Sequence, residues 1–149
     1  MAPRFSLPIL CRNKITVVKE NQITQKIIDA SIKIHKALGP GLDESVYESC
    51  LYSDILESGL YVERQKPVPL IYRNVKLECG FRADLVVEDK VVVEVRSVEA
   101  LNATHFKEAL TYVRLLDLRV GLLLNFNVVR LKQGLKRVVN DYQDFQALF

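Results

Sequence analysis

Two neighbouring segments of the chain combine a strand-like pattern with a small number of charged residues. Between residues 75 and 85, apolar and polar positions alternate with period 2, which predicts an extended strand. Residues 91–96, Val-Val-Val-Glu-Val-Arg, predict a second, largely apolar strand. The three residues Glu88-Asp89-Lys90 lie between them and predict a hairpin loop that makes Val87 face Val91.

This register places charged residues opposite one another on one face of the hairpin. Asp84 is expected opposite Glu94, and Arg82 opposite Arg96. Two carboxylates in such positions have Cβ atoms about 5 Å apart and repel each other. We therefore expect either a bound cation or a salt-bridge cluster of the four residues, in which both diagonals join opposite charges.

Helical periodicity predicts three helices around this hairpin. Apolar residues recur from Ile23 to Leu38, and Gly39-Pro40-Gly41 ends that helix. A second helix is predicted from the N-cap Asp43 to about Gly59, and a third over about residues 102–116. Further strands are predicted at residues 60–65, 68–73, 120–126 and 131–139. This order is typical of an α/β fold with a mixed four- to five-stranded sheet flanked by helices.

Composition narrows the class of protein. The 149 residues are 49% hydrophobic and 26% charged, as in a single globular domain, and the net charge of +3 permits nucleic-acid binding without arguing for it. Three widely spaced cysteines favour reduced thiols in a cytoplasmic protein. We expect an N-terminal extension over residues 1–20, either flexible or adding an edge strand at residues 15–18, and one domain over residues 21–149.

The charged residues also form a recognisable series of motifs. Gly41-Leu-Asp-Glu-Ser-Val-Tyr47 fits the pattern Gly-x-x-Glu-x-x-Tyr, and it is followed in order by Arg82-Ala-Asp84, Glu94-Val-Arg96, His105 and Tyr112. Over roughly residues 22–140 the chain resembles the GxxExxY protein family, which is grouped with the PD-(D/E)xK nuclease superfamily. The resemblance implies a restriction-endonuclease-like fold and metal-dependent hydrolysis of nucleic-acid phosphodiester bonds.

The resemblance also implies a role for individual positions. Asp84 and Glu94 would hold Mg²⁺ or Mn²⁺, and Glu44 would be a third acidic contributor. The chain departs from the family pattern twice, because Arg96 stands where lysine is usual and Glu108 where glutamine is usual. Arginine stabilises an anionic transition state, but with a pKa above ~12 it cannot act as a base. We therefore expect a catalytic site completed by Arg96, Glu44 and Glu108, with weak or absent cleavage.

The residues alone leave other interpretations open. Glu44 and Glu48 lie four apart on one helical face and, without the motif, would be solvated or capping residues. His105, Glu108 and Tyr112 share a polar stripe that faces either the site or water. A non-catalytic nuclease-fold module that binds nucleic acid or a protein partner is the main alternative, and a purely structural charged cluster is another. We expect nucleic acid as the partner and no membrane contact, and we consider a homodimer.

Overall fold

The computed structural model describes residues 9–78 and 80–140, with side chains from Glu20 onward. Three α-helices are present in this part of the chain: α1 (Ile9–Leu38), α2 (Glu44–Glu57) and α3 (Ala103–Leu115). The strands are β1 (Val62–Pro67), β2 (Leu70–Tyr72), β3 (Val75–Leu77), β4 (Arg82–Val87), β5 (Val91–Arg96), β6 (Val120–Asn125) and β7 (Leu135–Val139). A short 3₁₀-helix, Leu131–Gly134, leads into β7.

Five strands form one mixed sheet in the order β1-β4-β5-β6-β7. The neighbours β5 and β6 are parallel, and the other three pairs are antiparallel. Helix α3 is the connection between the two parallel strands. The predicted α/β architecture, a four- to five-stranded mixed sheet flanked by helices, is confirmed with five strands.

The sheet carries an apolar core on each face. The larger core joins α1 and α2 to the sheet and contains the stacked rings of Tyr47 and Phe126, whose centroids are 4.4 Å apart. The smaller core lies under α3. Gly121 on β6 lets that helix approach closely, since a Cβ atom there would lie 2.8 Å from Cγ2 of Val113.

The two cores decide where the charged residues of β5 lie. Val91, Val93 and Val95 belong to the larger core, whereas Val92 belongs to the core under α3. Successive side chains of a strand point to opposite faces. Glu94 and Arg96 therefore share the α3 side of the sheet with Val92.

The predicted hairpin between β4 and β5 is confirmed. Val87 pairs with Val91 across the loop, and the ladder continues to Leu85 opposite Val93. One more step in the same register brings Asp84 opposite Glu94. The site thus begins where the regular ladder between these strands ends.

The long strand predicted over residues 75–85 is interrupted. Its first part, β3, pairs only with β2 in a separate two-stranded sheet. Gly80, whose φ of +75° suits glycine, lies between β3 and β4. Val75 and Leu77, two apolar positions of the alternating pattern, are exposed.

Two predictions near the ends of the domain are also wrong. Residues 15–18, considered as an edge strand, lie within α1. The strand predicted over residues 131–139 begins only at Leu135, because the 3₁₀ turn before it closes with a hydrogen bond from Gln133 N to Arg130 O. The division into residues 1–20 and 21–149 stays a prediction, and residues 1–8 and 141–149 lie outside the described residues. Within the described part of the chain, no helix has the length and apolarity that crossing a membrane requires.

Candidate active site

The two strands that form the hairpin fix a pair of carboxylates. Asp84 N donates to Glu94 Oε1 at 3.2 Å, and Val95 N donates to Asp84 Oδ2 at 2.8 Å. Each carboxylate therefore accepts the backbone N–H of the opposite strand, in the place where a ladder carbonyl would otherwise stand. Glu94 is only 1% exposed, and Asp84 is half-buried. The structure brings together the two acids that the register predicted.

Arg96 joins this pair to a third acid. Its Nη1 lies 3.2 Å from Asp84 Oδ2, and its Nη2 lies 3.1 Å from Glu94 Oε2. The same Nη2 lies 3.1 Å from Glu108 Oε2. Glu108 comes from α3, where Tyr112 Oη donates to its other carboxylate oxygen at 3.1 Å. Four of the five predicted site residues are thus in one contact network.

Arg82 lies outside this cluster, although the predicted register placed it opposite Arg96 within a four-residue salt-bridge cluster. It is exposed, and its Nη1 donates to the carbonyl oxygen of Gln65 at 3.3 Å. The expectation of a cluster built from Arg82, Asp84, Glu94 and Arg96 is therefore wrong in its membership. The strands part after Leu85 and Val93, so parity alone does not keep residues 82 and 96 together.

The two acids of α2 lie in different surroundings. Glu44 is exposed, and its Oε1 accepts a hydrogen bond from Ser97 N at 3.3 Å, just after β5. Among the described contacts, none joins Glu44 to Asp84 or Glu94. Glu48 is 6% exposed and accepts a hydrogen bond from Arg64 Nε at 2.8 Å. The interpretation of Glu48 as a solvated or capping residue is wrong.

Gln65 on β1 links Glu48 to the carboxylate pair. Its amide nitrogen donates to Glu48 Oε1 and, at 3.2 Å, to Asp84 Oδ1. The backbone of Gln65 has a φ of +51°, a region that residues other than glycine rarely adopt. Such strain persists only where the surroundings enforce it, which is frequent at functional sites. Sequence reasoning missed Gln65, because a polar residue in a polar strand segment gives no signal.

The carboxylate pair is electrostatically unusual. Burial, followed by repulsion from Asp84, raises the pKa of Glu94 to about 8. Burial also raises the pKa of Asp84 to about 6. The hydrogen bond from the Val95 N–H lowers this pKa, and the negative charge of Glu48 raises it further. Burial alone would lower the pKa of Arg96, but Glu94, Asp84 and Glu108 outweigh it and raise that pKa. The guanidinium of Arg96 therefore stays charged. Its single positive charge does not offset the burial and mutual repulsion of the Asp84 and Glu94 carboxylates, since the pKa of each is raised.

A family model described as the PD-(D/E)XK nuclease superfamily matches residues 21–138. The chain belongs to this superfamily. The matched range contains the whole contact network, and the mixed sheet with its flanking helices agrees with the restriction-endonuclease-like fold that was expected. Comparisons with curated proteins and with solved structures give no significant match.

Nucleases of this superfamily typically use divalent metal ions, and the donor set suits such an ion. With every carboxyl ionised, the linked side chains carry four negative and two positive charges, a net −2, on Asp84, Glu94, Glu108, Glu48, Arg96 and Arg64. Carboxylate oxygens are the ligands that Mg²⁺ prefers. No group of three or more acidic, histidine or cysteine side chains stands ready to hold a metal ion in the described residues. The guanidinium of Arg96 lies on the oxygens that such an ion would use.

Two other motif residues have structural roles. The Tyr47 hydroxyl donates to Gly39 O and accepts from Leu42 N, so it fastens the loop between α1 and α2. The Tyr47 side chain is fully buried in the core. His105 caps α3, because its Nδ1 accepts from Asn102 N at 3.0 Å. Of the polar stripe on α3, Glu108 and Tyr112 reach the site network.

Proposed function

We propose that this chain is a metal-dependent nuclease that hydrolyses phosphodiester bonds of nucleic acid, with Mg²⁺ or Mn²⁺ held by Asp84 and Glu94. The observation that carries the proposal is the pairing of the half-buried Asp84 with the buried Glu94 across β4 and β5 in a member of a nuclease superfamily. Membership of the narrower GxxExxY family is part of the same proposal. The cytoplasmic location and the homodimer stay predictions.

Different residues of the chain have different roles in the proposed reaction. A divalent ion, when bound, supplies Lewis-acid charge and lowers the pKa of a coordinated water. Asp84 and Glu94 hold the ion, and the Val95 and Asp84 N–H groups fix their orientation. Arg96 binds phosphate oxygens, for which its planar fork is well suited.

Two further acids complete the proposed site, and one substitution limits its rate. Glu44 lies beside the chain that leaves β5, and Glu108 lies at the rim next to Arg96. Arg96 keeps its proton and therefore cannot help to deprotonate a water, as a lysine with a lowered pKa can. We expect slow cleavage for this reason.

The position of Arg96 also favours a second candidate function. Its guanidinium already contacts three carboxylates, so it neutralises part of the charge that a metal ion would otherwise neutralise. A nuclease-fold module that binds nucleic acid or a protein partner without cleaving it would need no metal. Its binding would persist after chelation.

Cleavage assays with metal and variant controls test the proposal. Single- and double-stranded DNA and RNA are incubated with Mg²⁺, with Mn²⁺ and with EDTA. We expect slow cleavage with either ion, none in EDTA and none for Asp84→Asn. The matched variant Asp29→Asn, which changes an exposed acid on α1, should cleave normally. Binding that survives EDTA without any cleavage would support the second candidate, and the absence of both would contradict both.

A further inference from the structure

The two positions at which the chain departs from its family pattern are in direct contact. Arg96 Nη2 lies 3.1 Å from Glu108 Oε2 and equally 3.1 Å from Glu94 Oε2. The Nη2 amino group of the guanidinium therefore contacts both an acid of β5 and an acid of α3. The arginine and the glutamate form a pair, and the role of either residue has to be considered together with the other.

The two acids that share Arg96 differ strongly in exposure. The Glu94 side chain is 2% exposed, the Arg96 side chain 11% and the Glu108 side chain 37%. The guanidinium thus lies between a carboxylate inside the site and a carboxylate at its rim. Glu108 is held at the rim by the Tyr112 hydroxyl, which donates to Oε1 and leaves Oε2 for Arg96.

A divalent ion and Arg96 would compete for the same atoms. The observed contacts of Arg96 use Asp84 Oδ2 and Glu94 Oε2, one oxygen of each proposed metal ligand. A cation bound by both residues would therefore displace the guanidinium from them. Glu108 Oε2 is the partner that Arg96 can keep, because it lies on the solvent side of the guanidinium.

We propose that Glu108 is a positioning residue that draws Arg96 away from Asp84 and Glu94 and so allows a divalent ion to reach them. This inference rests on the proposed metal site. It gives Glu108 a function without direct metal contact. It also explains why Arg96 and Glu108 occur together in this chain. An arginine beside Asp84 and Glu94 needs another anionic partner if it is to leave these two acids free for a metal ion.

The substitutions Arg96→Gln and Glu108→Gln make opposite changes. Without Arg96, the acids have no competing cation, and divalent ions should bind more tightly. Without the Glu108 charge, Arg96 has only Asp84 and Glu94 as acidic partners among its described contacts, and divalent ions should bind more weakly. The effect of Glu108→Gln should largely disappear when Arg96 is already absent, because no guanidinium remains to be drawn away.

Calorimetric titration with Mn²⁺, in the absence of nucleic acid, measures these effects without any turnover. The proteins are the parent chain, both single variants, the double variant and Glu57→Gln, an exposed acid at the end of α2. We expect Arg96→Gln to tighten binding and Glu108→Gln to weaken it by about tenfold. When Glu108→Gln is added to Arg96→Gln, the affinity should differ from that of Arg96→Gln alone by under about twofold, as for coupled neighbours. Glu57→Gln should change nothing.

The other outcomes separate the inference from the function on which it rests. If Glu108→Gln weakens Mn²⁺ binding equally in the parent and in Arg96→Gln, Glu108 acts on the ion itself, as a ligand or through its charge. If Glu108→Gln tightens Mn²⁺ binding, Glu108 holds Arg96 on the two acids. Either result overturns the inference. If neither the parent nor Arg96→Gln binds Mn²⁺, the proposed metal site itself fails. Tyr112→Phe, which releases Glu108, should weaken binding in the same direction. If Arg96→Gln does not fold, Arg96→Met provides a second background without a cation at this position.

Discussion

Asp84 and Glu94 are joined by a hydrogen bond of 3.2 Å from the backbone nitrogen of one to the carboxylate of the other. This bond lies one residue beyond the last regular pair of the β4–β5 ladder, Leu85 opposite Val93. Two acids are thereby held side by side in a largely buried place, although their charges repel.

Stability of the metal-free protein should fall as pH rises. The pKa of Glu94 is raised from 4.5 to about 8 and that of Asp84 from 3.8 to about 6. The folded state therefore holds these protons more tightly than the unfolded state does, which favours folding at low pH. The contribution is complete below the unfolded pKa values and is lost as pH rises through about 6 and about 8. Melting temperatures in EDTA between pH 5 and pH 9 measure this slope.

The variant Glu94→Gln identifies the source of that slope. It removes the titrating group and keeps the shape, so the fall between pH 6 and pH 9 should flatten, and at pH 9 the variant should melt at the parent's temperature or higher. A loss of ~3 kcal/mol or more would instead mean that Glu94 and Arg96 form a stabilising buried ion pair. The structural cluster would then be the better explanation.

Arg96→Lys should speed metal-dependent cleavage. Lysine offers a compact ammonium whose pKa falls readily on burial, so it can help to deprotonate a water, which arginine cannot. The same change at Arg82, an exposed arginine outside the cluster, is the matched control and should leave the rate unchanged. Initial rates are compared with Mg²⁺ and Mn²⁺ at equal nucleic-acid affinity. If the parent and Arg96→Lys both fail to cleave any substrate, the result would count heavily against the proposal that this protein is a nuclease.

At Gln65, glycine should give a more stable protein than alanine, although alanine is usually the better of the two within a strand. Its φ of +51° costs an L-residue roughly 1–2 kcal/mol that glycine does not pay. Gln65→Gly should therefore be more stable than Gln65→Ala by about 1 kcal/mol, although both lose the bridge to Glu48 and Asp84. Urea unfolding of the two variants gives the difference. At Arg64, the preceding residue, the alanine variant should be the more stable of the two.

Tyr47→Phe should destabilise the protein while its ring stays stacked on Phe126. The change removes the hydroxyl that links Gly39 O to Leu42 N and leaves both groups without that partner, at a cost of about 1–2 kcal/mol. Tyr72→Phe, at an exposed tyrosine of β2, is the control and should have little effect. An unchanged unfolding free energy for Tyr47→Phe would show that the loop between α1 and α2 does not depend on the hydroxyl.

Sequence reasoning could place Asp84 beside Glu94 because both lie on one hairpin. Their distance along the chain is short, and a three-residue loop fixes the register. The contact of Arg96 with Glu108 is of another kind. It depends on how closely α3 packs on the sheet, which the missing side chain of Gly121 helps to determine. The pattern of apolar positions shows which face of a helix packs on the sheet, but it does not determine the distance between the helix and the sheet.

The same limit explains the two acids of α2. Glu44 and Glu48 differ by about one helical turn, and only the packing of the helix decides which of them is buried beside Arg64 and Gln65. The left-handed backbone at Gln65 is likewise invisible in a pattern of polar and apolar positions, as are the hydrogen bonds of its side chain to Glu48 and Asp84. Local elements follow from local sequence, whereas these contacts join three separate elements.

The carboxylates of Asp84 and Glu94 also serve as substitutes for backbone carbonyls, since each accepts a strand N–H where the two strands part. An alanine at either position deletes a sheet hydrogen bond together with the proposed ligand, so a loss of activity would report damaged strand pairing as much as lost chemistry. Asparagine at position 84 and glutamine at position 94 keep one oxygen for the N–H, and they remove the charge and the second acceptor oxygen. Genetic screens that rely on alanine will therefore overstate the catalytic importance of these two acids, and amide replacements give the sharper measure.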